Sequence, residues 1–321
     1  MRQVIPALAC WLALVGCSQR IRPAGRAPAP AAPAVYSTLN RHIVNALDAG
    51  EGDFTLGALR RQLAADPANP QVRLQLAKRY RELGFPDLAL EHARLAAERF
   101  PDLADAQIEQ ARALRAMGLT AEAAELLEAF FRMHPRASAN VPAWLGILRD
   151  ELGQWQAGEA AHRAAVAMAP ERDDLYNNLG YNLLKQGKHQ EARKALERAL
   201  ELNPDSRAAR NNLGLVLAAT GSGAFEAFRR AGDPATAHNN LACALIEQGR
   251  YREARKELES ALAYNRNHPA ALANLRLLAQ LDGQHAAVSL RQAPRSSWGR
   301  FWSAVWRKLA GFEESGERPQ R

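Results

Sequence analysis

Five prolines recur through the middle of the chain, Pro67, Pro101, Pro135, Pro170 and Pro204, at intervals of 34, 34, 35 and 34 residues. A glycine stands 17 residues before each of them, at Gly50, Gly84, Gly118, Gly153 and Gly187. Proline cannot continue a helical ladder, and glycine accepts the backbone angles of a sharp reversal. Each period therefore reads as two short helices joined by a tight turn. Residues 173–206 show the pattern most fully. Leu175, Leu179 and Leu183 share one face of the first helix, with Tyr176, Gly180 and Leu184 beside them. In the second helix Ala192, Ala195, Leu196, Ala199 and Leu200 recur at the helical period. A lone hairpin of this size cannot bury such faces, so it needs neighbours of its own kind.

The period divides the chain into units at 36–69, 70–103, 104–137, 139–172, 173–206, 207–234 and 235–268, with a last helix from Pro269 to about Leu281. Small residues stand where paired helices must approach (Ala89, Ala123, Gly158, Ala192), followed by Ala96, Phe130, Ala165 and Ala199. The first unit is divergent, with Thr55 in place of a small residue. The sixth is short: Gly221-Ser222-Gly223 forms its turn, and Gly232-Asp233-Pro234 should end its second helix at Ala231, with a kink or tightened packing there. This register of small residues, turn glycine and closing proline resembles the tetratricopeptide repeat. The fold class expected is all-α, a superhelical solenoid of antiparallel helix pairs over residues 36–283.

In such a solenoid the first helix of each pair lines the concave face. There the chain repeats an asparagine pair, Asn177-Asn178, Asn211-Asn212 and Asn239-Asn240, and Asn274 continues the second position. Amides both donate and accept, so a ladder of them suits the backbone of an extended peptide. It resembles the asparagine ladders of tetratricopeptide-repeat proteins that hold peptides. The other reading is that one amide of each pair bonds the neighbouring hairpin and shapes the array. Units before residue 173 lack the ladder and carry Glu109 and Trp144 at the second position.

Residues 1–16 combine a basic start, an apolar stretch and Gly16 before Cys17, which reads as a secretory signal. Leu14-Val15-Gly16-Cys17 resembles the bacterial lipobox, which implies lipidation of Cys17; the following Ser18 favours the outer membrane, with the body facing the periplasm. Residues 17–35 form a tether with four prolines in an Arg-Pro-Ala context. The net charge of +8 does not point to nucleic acid. Four basic residues precede residue 27 and seven follow residue 290, while the middle carries as many acids as bases. After a linker at 284–297, residues 298–312 place Trp298, Phe301, Trp302, Val305, Trp306 and Leu309 on one helical stripe. Such a helix suits a membrane interface, a groove on a partner, or a cap on the array. Residues 313–321 read as a disordered tail.

No catalytic constellation is present: the eight histidines are scattered, and neither a CxxC nor a phosphate-loop pattern occurs. The expectation is a non-enzyme without cofactor, metal or small-molecule substrate. With Cys10 inside the signal and Cys17 lipidated, Cys243 remains as a small buried hydrophobe. The succession RNNLGLVLA, AFRRAGDPATAHNNLACAL, QGRYREARKELESAL and NHPAALANL over residues 207–280 is similar to the TadD lipoproteins of the tight-adherence system. That resemblance implies a scaffold at the outer membrane in Flp-type pilus assembly, with secretin or pilus components as protein partners. Alternatives are a pilotin-like lipoprotein of a type IV pilus or type II secretion system, and a general envelope scaffold.

Overall fold

The computed structural model describes residues 53–221 and 223–282. Among these, fourteen helices and no strand occur, in two compact units divided at Ala169. The first unit holds α1 (Phe54–Ala65), α2 (Pro70–Glu82), α3 (Pro86–Arg99), α4 (Ala104–Ala116), α5 (Thr120–Met133), α6 (Asn140–Glu151) and α7 (Trp155–Met168). The second holds α8 (Asp173–Lys185), α9 (His189–Leu202), α10 (Arg207–Thr220), α11 (Ala224–Ala231), α12 (Pro234–Glu247), α13 (Tyr251–Tyr264) and α14 (Pro269–Asp282). Each unit is a stack of antiparallel pairs in two layers. First helices pack on first helices (α2 on α4 on α6; α8 on α10 on α12 on α14), and the second helices cover their other side.

Local chemistry sets the ends. Gly84, Gly118, Gly153, Gly187 and Gly249 each turn the chain between paired helices with φ from 72° to 89°, a region that other residues rarely adopt. Pro70, Pro86, Pro234 and Pro269 sit at the first position of their helices, where no backbone donor is missed. Asp53, Asn69, Ser206 and Asp233 cap helix starts by accepting from backbone N–H groups. Asp173 and Asp174 lie in the first turn of α8; Asp174 pairs with Arg172, and Asp173 accepts from Asn203 Nδ2 at 2.9 Å.

A glycine slot on the first helix sets the spacing between layers. A Cβ on Gly180 would lie 2.6 Å from Leu196 Cγ, and one on Gly214 would lie 2.6 Å from the Phe228 ring. One on Gly146 would meet His162 at 2.5 Å, and that histidine is 1% exposed. These large side chains of the second helix occupy the space that the glycine vacates. Around them Leu175, Leu183, Leu196 and Leu258 are completely enclosed, as are Leu127 and Leu148 in the first unit.

The short unit behaves as an outer-layer event. Its second helix ends at Ala231, six residues short of the usual span, yet the first helices on either side remain bonded to each other: Gln248 Nε2 donates to Ala218 O at 2.9 Å and Asn240 Nδ2 to Asn211 Oδ1 at 2.7 Å. Of unit 36–69 only the second helix, α1, is described, with Leu56 and Leu59 buried and Thr55 exposed.

Candidate functional site

The asparagine track lies on the first-helix layer of the second unit, and most of it is bonded to itself. Asn212 Nδ2 donates to Asn177 Oδ1 at 2.9 Å, and Asn274 Nδ2 donates to Asn239 Oδ1 at 2.9 Å; the 2.7 Å bond from Asn240 to Asn211 lies between them. Each rung joins the second asparagine of one repeat to the first asparagine of the repeat before it. Asn274 Nδ2 also approaches Cys243 Sγ at 3.0 Å; that thiol is 1% exposed. Asn177, Asn212, Asn239, Asn240 and Asn274 are all buried. A buried amide without a partner costs about 1–3 kcal/mol, so these rungs fix how one repeat seats on the next. Asn178 and Asn211 differ. They are half-buried, their oxygens receive Asn177 Nδ2 (3.5 Å) and Asn240 Nδ2, and no bond among the described residues engages their own Nδ2 donors. They are the part of the track that presents hydrogen-bond donors outward.

In the first unit the same helix position also reaches backward, with different chemistry. Glu109 accepts from Arg81 Nε of the preceding repeat at 2.7 Å and from Arg112 Nη1 at 2.9 Å. The Arg112 guanidinium lies 5.1 Å from the centre of the Trp144 ring of the next repeat, and Arg115 holds Glu151 in a two-pronged pair. Burial pulls Arg112 down to about 10; Glu109 opposes that, and the neighbouring Arg81 and Arg115 add to it. Both signs are present throughout, so this face is a self-neutralised lattice. The sequence offers a tie between repeats as one of two readings of the asparagine pairs, but does not extend it to Glu109 and Trp144. The interval from Asn177 to Asn212, one repeat plus one residue, was the available signal.

Two further clusters contain titratable groups. Asp233, Thr236 and His268 meet at the start of α12, with Thr236 Oγ1 donating to Asp233 Oδ2 at 2.6 Å and lying 3.3 Å from His268 Nε2. Ala271 N–H donates to His268 Nδ1 at 3.1 Å, so the ring proton resides on Nε2 and points at Thr236. The imidazole cannot then take the hydroxyl proton, and the cluster serves as a pair of helix caps. In the second, Lys185 on α8 and Glu247 on α12 feel one another's charge inside the first-helix layer. Burial lowers Lys185 to about 8, against the pull of Glu247, and burial raises Glu247 against the pull of Lys185. Glu247 Oε1 is enclosed without a hydrogen-bond partner.

Among the described residues, no group of three or more His, Cys, Asp or Glu side chains could hold a metal ion, and no helix is long and apolar enough to cross a membrane. Cys17, Trp298, Phe301, Trp302 and Trp306 lie outside the described residues.

Comparison with known proteins agrees with this architecture. Two family models described as tetratricopeptide repeat match residues 177–234 and 235–268. The "Cellulose synthase 2 operon protein C" of Komagataeibacter xylinus is 34% identical over 160 residues, covering 48% of this chain and 12% of that relative. The chain thus spans a small part of the relative's length. Among solved structures, the Cut9–Hcn1 hetero-tetramer of the APC/C is similar with a TM-score of 0.55 at 18% identity, covering 70% of this chain and 45% of that one. PilF of Pseudomonas aeruginosa is similar with a TM-score of 0.51 at 20% identity, covering 68% and 99%. At these identities the structures show the fold alone. By its period, its two-layer packing and the match of residues 177–268, the chain has the tetratricopeptide-repeat fold.

Proposed function

We propose that the chain is a lipid-anchored scaffold of the bacterial envelope that holds an extended segment of a partner protein on the first-helix face of its second unit. Tetratricopeptide-repeat proteins mediate protein–protein interactions. The observation that carries the reading is the pair of outward amides, Asn178 and Asn211, set on a track whose other amides are locked by mutual bonds. A pre-organised donor loses little entropy when a peptide carbonyl arrives. Within this reading the anchor is Cys17, the location is the outer membrane, and the system is tight-adherence pilus assembly, as the resemblance of residues 207–280 suggests.

Pull-down with lipidated protein from its own host tests it. Alanine at Asn178 and Asn211 should release the partner while helicity and melting temperature hold. Unchanged capture would remove the amide track from the reading. Cys17→Ser should move the protein out of the membrane fraction. Pilus or secretin components in the eluate support the pilus assignment, or the pilotin-like variant of it. Identity to a cellulose synthase operon protein favours a second reading, a scaffold for polysaccharide-synthesis machinery, which synthase subunits in the eluate would support instead.

A further inference from the structure

The outer layer of the second unit has one element built unlike the rest. Helices α9 and α13 are 14 residues long and bury four side chains each; α11 has 8 residues and buries two, Ala224 and Phe228. It hangs between glycines: Gly221 and Gly223 precede it, both left-handed at φ 116° and 81°, and Gly232 follows. Its charged side chains look inward to the helix itself, with Glu226 bonded to Arg229 and Arg230. Its hold on the rest of the unit is narrow. Phe228 fills the Gly214 slot beside Ala237, Phe225 leans on the His238 ring with centroids 4.5 Å apart, and Arg210 Nη1 reaches Arg230 O at 3.3 Å.

Beneath it the first-helix layer is closed without its help. The bond from Asn240 to Asn211 and the bond from Gln248 to Ala218 O join α10 directly to α12. Rungs also join the first helices of the regular repeats, Asn212 to Asn177 and Asn274 to Asn239. There a 14-residue outer helix burying four side chains covers each pair; over α10 the cover is only the 8-residue α11. Segments with few buried contacts open locally at much lower free energy than the elements around them.

We propose that α11 is a hinged outer flap, latched by Phe228 in the Gly214 slot, which opens while the amide-bonded first-helix layer stays closed. Opening uncovers Leu217, Ala237 and Leu241 at the outer side of the unit and leaves the Asn178 and Asn211 donors where they are. The partner-binding face is thereby insulated from movement in the outer layer. This inference concerns the described fold and stands whether or not Asn178 and Asn211 bind a partner.

Native-state hydrogen exchange on the full chain, read by mass spectrometry, tests it. Backbone amides of residues 227–231, the hydrogen-bonded ones of α11, should exchange at least about tenfold faster than those of residues 193–202 and 255–264, and faster than the hydrogen-bonded amides of α10 and α12. Phe228→Ala should speed exchange in 227–231 by about tenfold more, with α10 and α12 unchanged. Gly214→Ala, which fills the slot from the other side, should do the same. The flap is refuted if 227–231 exchange in step with α9 and α13 in the unmodified chain. It is refuted equally if either substitution accelerates α10 and α12 as much as α11, because the repeat then melts as one unit. If both variants fail to fold, the pattern in the unmodified chain still decides.

Discussion

The glycine slots make one substitution carry opposite signs at two places in the same molecule. Gly57 in α1 and Gly180 in α8 are both helical, and alanine in a helix interior is better than glycine by about 1 kcal/mol. At Gly57 an added Cβ would meet only Arg61 Nη1 at 3.7 Å, ordinary contact with the end of a flexible side chain. Gly57→Ala should therefore stabilise by about 1 kcal/mol. At Gly180 the same atom would lie 2.6 and 2.8 Å from Leu196 Cγ and Cδ2 and 3.3 Å from Ala192 O. Leu196 is fully buried and has nowhere to retreat, and the third contact is backbone. Overpacking at such a site costs about 3 kcal/mol, which leaves Gly180→Ala destabilising by about 2 kcal/mol. Leu196→Ala alone should cost about 2–5 kcal/mol as a cavity mutation. In the double variant the new methyl enters that cavity, so the two costs should fall short of their sum by about 2 kcal/mol. Urea unfolding followed by far-UV circular dichroism, over the four members of the cycle and Gly57→Ala, measures all of these. Additive costs, or a Gly180→Ala variant stabilised like Gly57→Ala, would refute the slot as the feature that sets the layer spacing.

Three other outcomes follow from the polar groups. Asn212→Ala leaves Asn177 Oδ1 buried without its donor and should cost about 1–3 kcal/mol in the same assay, while the half-exposed Asn178→Ala should fall within about 0.5 kcal/mol of the parent. His92, stacked on Tyr80 at 5.4 Å, is held down to about 4, by burial first and then by the charges of Arg73 and Arg60. The unfolded chain therefore takes up this proton near pH 6.5 and the folded one only near pH 4. Stability from this group is whole above about pH 6.5 and is lost as pH falls toward about 4, by about 1–2 kcal/mol after allowance for nearby solvent. His92→Phe should flatten that part of the pH–stability profile, and an unchanged slope would place the proton uptake elsewhere. Replacing Lys185 and Glu247 together by methionine should raise the urea midpoint, because burial disfavours both charges and Glu247 Oε1 has no partner. A lowered midpoint would show the pair to be a net stabilising contact.

Much of the fold is legible in one dimension because its determinants are local. A turn glycine, a closing proline and the 3.6-residue spacing of small and large side chains act within a few residues. Unit boundaries, the early end of the sixth second helix at Ala231 and the last helix from Pro269 are accordingly readable before any packing is known. The slots at Gly146, Gly180 and Gly214 are half-legible: the small residue is visible, but its occupant could be a histidine, a leucine or a phenylalanine.

The asparagine track divides along the same line. Its existence, its period and its place on the first helices follow from sequence, since residues at one helix position in successive repeats must share a face. What tertiary structure alone decided is the use of each amide. Asn177 and Asn212 bond because adjacent first helices are offset so that the second position of one repeat falls against the first position of the last. That offset is a relation between helices of successive repeats, which no single helix encodes. In the first unit the second position meets arginines further along the preceding first helix, Arg81 at Glu109 and Arg112 at Trp144, where no common motif advertises it. Asn178 keeps its donors free because the first position of the repeat before it is Ala143, and Asn211 keeps its donors because it joins its rung through its oxygen.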